Sequence, residues 1–180
     1  ARFLRRWTEV GCDRCGIRLT KLQAAVSGLK WFPYNKGGDF RRWYGNFDLV
    51  VNWEDDGREI KALTRERYPD LGDNLSWKIT NEQMYFSDGI TWGGLTISLV
   101  SFRWSDVGSL FDSNKGAMIF PPADMAKPIL GLMNSSVVAA FLKILNPSLS
   151  TQNRDIDNLP ILWPLPNGCA GRLQTAVSEC

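Results

Sequence analysis

The 180-residue chain contains no histidine. That removes the commonest general base, the serine and cysteine triads built on imidazole, and any His-ligated metal site. Net charge is scarce as well: 21 Lys and Arg stand against 19 Asp and Glu, for +2 overall. A field that weak does not draw the whole molecule to a polyanion, so a nucleic-acid partner would need locally clustered positive charge. Cysteine is limited to Cys12, Cys15, Cys169 and Cys180. Cys12-x-x-Cys15 has the spacing of half a zinc site, but Cys169 and Cys180 are too far apart for a tidy second knuckle. The cysteines therefore read as unpaired thiols of a cytoplasmic protein. There is no signal peptide and no apolar run of membrane-spanning length, so a soluble chain with no membrane partner is expected. Internal repeats and low-complexity segments are absent too. The first residues, Ala1-Arg2-Phe3-Leu4, lack a methionine and run directly into Trp7, which suggests a piece of something larger.

What is present is concentrated between Lys30 and Lys61. Trp31, Phe32, Tyr34, Phe40, Trp43, Tyr44, Phe47 and Trp53 surround Lys36, Arg41 and Arg42, with Gly37-Gly38 in the middle. Such a stretch can stack on bases, bind phosphates and let backbone approach a ligand, or it can simply be core. A second group of cations, Arg2, Arg5, Arg6, Arg14 and Arg18, lies near the start, and Glu54, Asp55 and Asp56 form an acidic cluster.

The length fits one domain with a sizeable core, expected over 1–166 with a poorly ordered tail over 167–180. Spacing predicts a helix over Thr20–Ser27, a buried strand over Phe47–Trp53, a turn at Asp55-Asp56-Gly57 and a short helix over Arg58–Thr64. Tyr68–Asn74 reads as a loop. From Ile90 the pattern is β, with Leu95, Ile97 and Leu99 alternating and a bulge expected near Leu99. Ala117–Phe120 is another strand, closed by Pro121-Pro122. A short helix is predicted over Pro128–Met133. A second begins at Ser135 or Ser136, carries the apolar stripe Val137, Val138, Phe141, Ile144 and Leu145, and stops at Pro147. The fold class is α/β (α+β): a mixed, mostly antiparallel twisted sheet flanked by a few helices.

Several segments carry a family resemblance. They are Lys30-Trp31-Phe32-Pro33-Tyr34-Asn35-Lys36-Gly37-Gly38, Phe40-Arg41-Arg42-Trp43-Tyr44-Gly45-Asn46, Val50-Val51-Asn52-Trp53-Glu54 and Asp56-Gly57. Further on come Gly89-Ile90-Thr91-Trp92, Ser101-Phe102-Arg103, Phe111-Asp112, Gly116 and Ile119-Phe120. Leu130-Gly131-Leu132-Met133-Asn134-Ser135, Leu142-Lys143-Ile144-Leu145-Asn146-Pro147 and Asp155-Ile156-Asp157-Asn158-Leu159-Pro160 complete the set. In this order they resemble the adenine-specific DNA methyltransferase of the BREX phage-exclusion systems, the PglX family. The later segments are similar to recognition domains of fused restriction–modification enzymes. The family's catalytic signatures are missing: the nearest match to Asn-Pro-Pro-aromatic is Asn146-Pro147-Ser148-Leu149, read as a helix terminator, and no strand–glycine loop–helix unit is seen for S-adenosylmethionine. The resemblance therefore implies a target-recognition region without catalytic domain or cofactor of its own. Its partners would be double-stranded DNA, the S-adenosylmethionine-dependent catalytic domain of the same parent, and other defence-system proteins.

On that reading the DNA face comprises Lys36, Gly37, Gly38, Arg41, Arg42, Tyr44 and Asn46, joined by Thr91, Trp92 and Arg103. Positions common to a family whose members read different sequences suit phosphate contacts or scaffold. Base readers are then expected in Arg65–Lys78 or Ser105–Lys115. Trp43 and Trp92 read as core before stacking platforms, and Arg41 and Arg42 read equally as surface partners of Asp39 or Glu54. Two rivals stand beside this. One is a module that docks proteins of the defence system. The other is a metal-dependent nuclease using Asp48 or Asp55 with Glu59 and Lys61, although Asp55-Asp56-Gly57 looks like a turn.

Overall fold

The computed structural model describes residues 2–95, 99–148, 150–161 and 169–178. Along them run β1 (Leu4–Arg6), α1 (Trp7–Val10), α2 (Lys21–Val26), β2 (Trp31–Asn35), β3 (Leu49–Asn52) and α3 (Glu54–Arg67). Then come β4 (Gly89–Trp92), β5 (Phe102–Ser105), β6 (Leu110–Phe111), β7 (Met118–Ile119), α4 (Ala126–Met133), α5 (Ser136–Leu145), α6 (Asn153–Asp157) and α7 (Cys169–Ser178). The strands form two open sheets, antiparallel except where β2 runs parallel to β6. This is the mixed, mostly antiparallel α/β class that the hydrophobic pattern implies. The chain divides into two compact units, each discontinuous in sequence: Ala1–Asn35, Phe47–Asp88 and Asp106–Ser113 in the first, Lys36–Asn46, Gly89–Ser105 and Asn114–Cys180 in the second.

In the first unit the sheet order is β1-β3-β2-β6. β3 lies between two strands, and its Val50, Val51 and Asn52 are buried, which is why Leu49-Val50-Val51 is an apolar run instead of an alternation. Edge-to-face rings tie the core together: Phe32 on Phe86 at 5.3 Å, Trp53 on Tyr85 at 5.2 Å and Tyr85 on Phe111 at 5.4 Å. α2 begins with a capping box. Thr20 Oγ1 accepts from the Gln23 backbone N–H, and the Gln23 side chain accepts from that of Thr20. The turn expected at Asp55-Asp56-Gly57 sits inside the start of α3, with φ of +49°, +57° and +72°. Gly57 is needed there twice over, because a Cβ would stand 2.8 Å from the Trp53 ring.

The second unit carries the β5-β4-β7 sheet. Ile90, Trp92, Phe102, Ala117, Leu130, Met133, Val138, Leu142, Ile156 and Leu159 form its core. Ser135 caps α5 by accepting from the Val138 N–H at 3.2 Å. The stripe assigned to α5 turns out differently. Only Val138 and Leu142 of this helix are buried, whereas Val137, Phe141, Ile144 and Leu145 are exposed, Ile144 at 77%. Cys169–Ser178, within the expected tail, is helical, with Val177 against the core and Ser178 Oγ accepting from Lys127 Nζ at 2.9 Å. The alternation over Leu95–Leu99 and its bulge fall mainly on residues 96–98, outside the described ones. Among the described residues no single helix is long and apolar enough to cross a membrane.

Candidate nucleic-acid interface

Residues 36–46 belong wholly to the second unit and contain most of the predicted DNA face. Trp43 fixes the loop. Its backbone N–H donates to Phe102 at 3.0 Å, its carbonyl accepts from Trp104 at 2.7 Å, and its ring packs half-buried against the core. Asn46 Nδ2 donates to the Asp39 carbonyl at 2.8 Å and closes the neck. Anchored at both places, the loop exposes Phe40, Arg41, Arg42 and Tyr44, the two rings at 51% each. The Arg42 guanidinium lies 5.5 Å from the Phe40 ring centroid.

The glycines serve the protein's own backbone. Gly37 has φ +82°, and a Cβ there would stand 2.5 Å from the Lys115 carbonyl oxygen. A Cβ on Gly38 would meet Asn46 Nδ2 at 2.9 Å. The close approach that the Gly37-Gly38 pair signals is therefore loop against loop.

Ion pairing separates this loop from Lys30, Lys61 and Arg18. Lys30 bonds to Glu54 and Glu59 at 3.1 and 2.9 Å, Lys61 to Asp56 and Glu82 at 2.6 Å each, and Arg18 to Asp106 at 2.7 Å. The hydrogen bond from Lys30 holds the Glu59 carboxyl below its usual range, and the same bond raises the Lys30 pKa. Neither Lys36, Arg41 nor Arg42 makes an ion pair with any described residue. The alternative pairing of Arg41 and Arg42 with Asp39 or Glu54 is not observed.

Three of the predicted face residues are inside. Trp92 is 0% exposed, donates Nε1 to the Thr151 carbonyl at 3.2 Å and packs on Phe102. Thr91 is buried and donates Oγ1 to the Gly116 carbonyl at 3.3 Å. Arg103, cross-strand from Thr91, is 2% exposed, and its Nε has no hydrogen-bond partner among the described residues. Burial pulls the Arg103 pKa below the ordinary arginine value. All three sit on paired strands, which a linear motif does not reveal.

Sequence reasoning passed over two exposed aromatics. Phe40 was visible only as part of the aromatic run. Trp77, in the first unit, is 80% exposed at the end of a short turn pinned by buried Leu75 and Ile79. Its signal was the four-residue spacing of those two apolar anchors around a tryptophan, a residue rarely left in water.

The rival chemistries find their residues engaged elsewhere. Glu59 and Lys61 are held in separate ion pairs, and among the described residues no three His, Cys, Asp or Glu side chains gather as a metal site. Cys15 is buried, with Sγ 3.3 Å from the Gly11 carbonyl, and Cys12 is exposed; both are free thiols. Cys180 lies outside the described residues, and of Cys169 only the backbone is described. Asn146 Nδ2 donates to the Ser150 carbonyl and Asp155 Oδ2, both at 2.7 Å, while Oδ1 accepts from Ser148 N at 3.0 Å. Its amide is fully used in closing α5 and does not fit the reception of an adenine amino group.

No protein-family model matches the chain. It is 33% identical over 162 residues to the adenine-specific methyltransferase PglX of Lacticaseibacillus casei (strain Zhang), covering 89% of this chain and 13% of that protein. It is 30% identical over 163 residues to the adenine-specific methyltransferase BrxX of Escherichia coli O9:H4 (strain HS), covering 89% of this chain and 12% of that protein. The resemblance read from the motifs is borne out, and the chain spans only a small part of the curated relatives' length.

Proposed function

We infer that this chain is the double-stranded DNA recognition region of an adenine-specific methyltransferase working in the cytoplasm within a BREX-type phage-defence system. Similarity to a short slice of PglX and BrxX supports the parentage. The observation that carries the DNA reading is the second unit's loop, where Arg41 and Arg42 stand without acidic partners among the described residues, beside exposed Phe40 and Tyr44. Unneutralised guanidinium groups bind phosphate oxygens and release counterions, giving grip without sequence preference. Lys36, half-buried at the loop's base, adds a further cation. Gly37, Gly38 and Asn46 shape the loop, whereas Thr91, Trp92 and Arg103 support it from within. The catalytic domain and its S-adenosylmethionine belong to the rest of the parent enzyme.

Replacing Arg41 and Arg42 together by alanine is expected to weaken binding to unrelated duplexes alike. The slope of log affinity against log salt should flatten by about 2, one for each phosphate that the variant no longer neutralises. A titration in which the double variant keeps the parent slope would contradict the assignment.

The exposed apolar face of α5 favours a second reading, protein docking. On that reading the chain would bind no duplex even at low salt, within its parent enzyme or alone.

A further inference from the structure

The loop's aromatic content goes beyond what phosphate grip requires. Arginines alone can hold a backbone, yet the Phe40 ring stands half exposed beside them, where a stacking partner could reach it. One group already lies against it: the Arg42 guanidinium, 5.5 Å from the ring centroid. The carbonyl of Arg42 accepts from the Tyr44 N–H at 2.9 Å, a tight turn that sets Arg42 and Tyr44 on either side of the half-buried Trp43 anchor. The Arg41 stem lies over Gly45, where a Cβ would stand 2.9 Å from Arg41 Cδ. The result is a cation beside an exposed ring on a braced loop, its arginines free of ion pairs with the described residues.

We propose that Phe40 and Arg42 form a stacking platform for a nucleobase that has left its place in the duplex, with Arg41 on the flanking phosphate. Nucleobases stack on phenyl rings and guanidinium planes alike, independently of sequence, because every base has a π face. A base within an intact duplex offers no such face. A base orphaned by extrusion of its partner has lost its pairing and leaves the stack at lower cost, which exposes its face, and extrusion is the step that methylation of an adenine in duplex DNA demands. The platform thus favours the distorted duplex over the regular one. This rests on the DNA reading above and adds the state of the DNA that the loop selects.

The test compares the intact chain's affinity for one duplex and for the same duplex with a single abasic site opposite a thymine, by fluorescence anisotropy over the same series of salt concentrations. The abasic duplex is expected to bind about fivefold or more tightly, in line with the stacking of one base. Phe40→Ala should erase that preference while leaving the regular duplex within about twofold and its salt slope unchanged, and Phe40→Trp should keep the preference. Phe40 is exposed, so neither variant threatens folding, which circular dichroism verifies. Equal binding of the two duplexes by the parent chain, or an equal loss on both for Phe40→Ala, overturns the platform and leaves the phosphate grip standing. Absence of binding to either duplex overturns both.

Discussion

Arg103 shows most sharply how far a residue's role depends on its surroundings. Within Ser101-Phe102-Arg103 it has the look of a DNA contact, yet the cation sits 2% exposed on β5, where among the described residues Nε has no partner and Nη1 has only Ser101 Oγ, at 3.5 Å. Burying a guanidinium with no opposing charge costs stability that an apolar side chain of similar length would not. Arg103→Met is therefore expected to leave the fold unchanged or stabilise it by about 1 kcal/mol. Urea denaturation checks this, and a loss of about 2 kcal/mol or more would mean that Arg103 has a counter-charge in solution. Residue identity carried the aromatic and cationic content of the 36–46 loop legibly. It could not say which neighbours Gly37 and Gly38 needed, because Lys115 approaches Gly37 from far along the chain.

At the level of elements, local chemistry was well written. Thr20 with Gln23 and Ser135 with Val138 mark two helix starts, and Asp55-Asp56-Gly57 marks a left-handed turn, all through interactions within a few residues. The α5 stripe was legible as a stripe but not as an exposed one, since periodicity reports that a face is apolar and not what covers it. The structure makes a distinct prediction for its two faces. Changing Val137, Phe141 and Ile144 to glutamine should alter stability by no more than about 0.5 kcal/mol per site. Leu142→Ala, on the buried side, should cost about 2–5 kcal/mol. Thermal denaturation of the two variants distinguishes them; comparable losses would show that the outer face is covered in solution.

Across the whole molecule, the division into two interleaved units was the least legible feature. It depends on pairings between distant segments, such as β2 with β6 in parallel register and Trp43 beside Arg103, and no local pattern encodes these. The response of overall stability to pH follows from the first unit's ring cluster. Tyr85 there is pushed up to about 12 by burial and then by the nearby Glu82 and Asp112 charges, and burial raises Tyr34 as well. The folded chain keeps the Tyr85 proton that the unfolded chain releases near pH 10, so this contribution is complete below about pH 10 and is lost as pH rises toward 12. Urea midpoints between about pH 9 and 12 should accordingly fall more steeply for the parent chain than for Tyr85→Phe; parallel curves would show that Tyr85 does not titrate differently on folding.

The central claim concerns what this region contributes to a methyltransferase, and exchanging the region tests it most directly. The matching segment of the Lacticaseibacillus casei PglX can be replaced by this chain, the chimaera expressed with its native partners, and methylated adenines mapped across the genome by long-read sequencing. A methylated motif that changes with the segment is the predicted result, and a chimaera that stays active while methylating the original motif would contradict it.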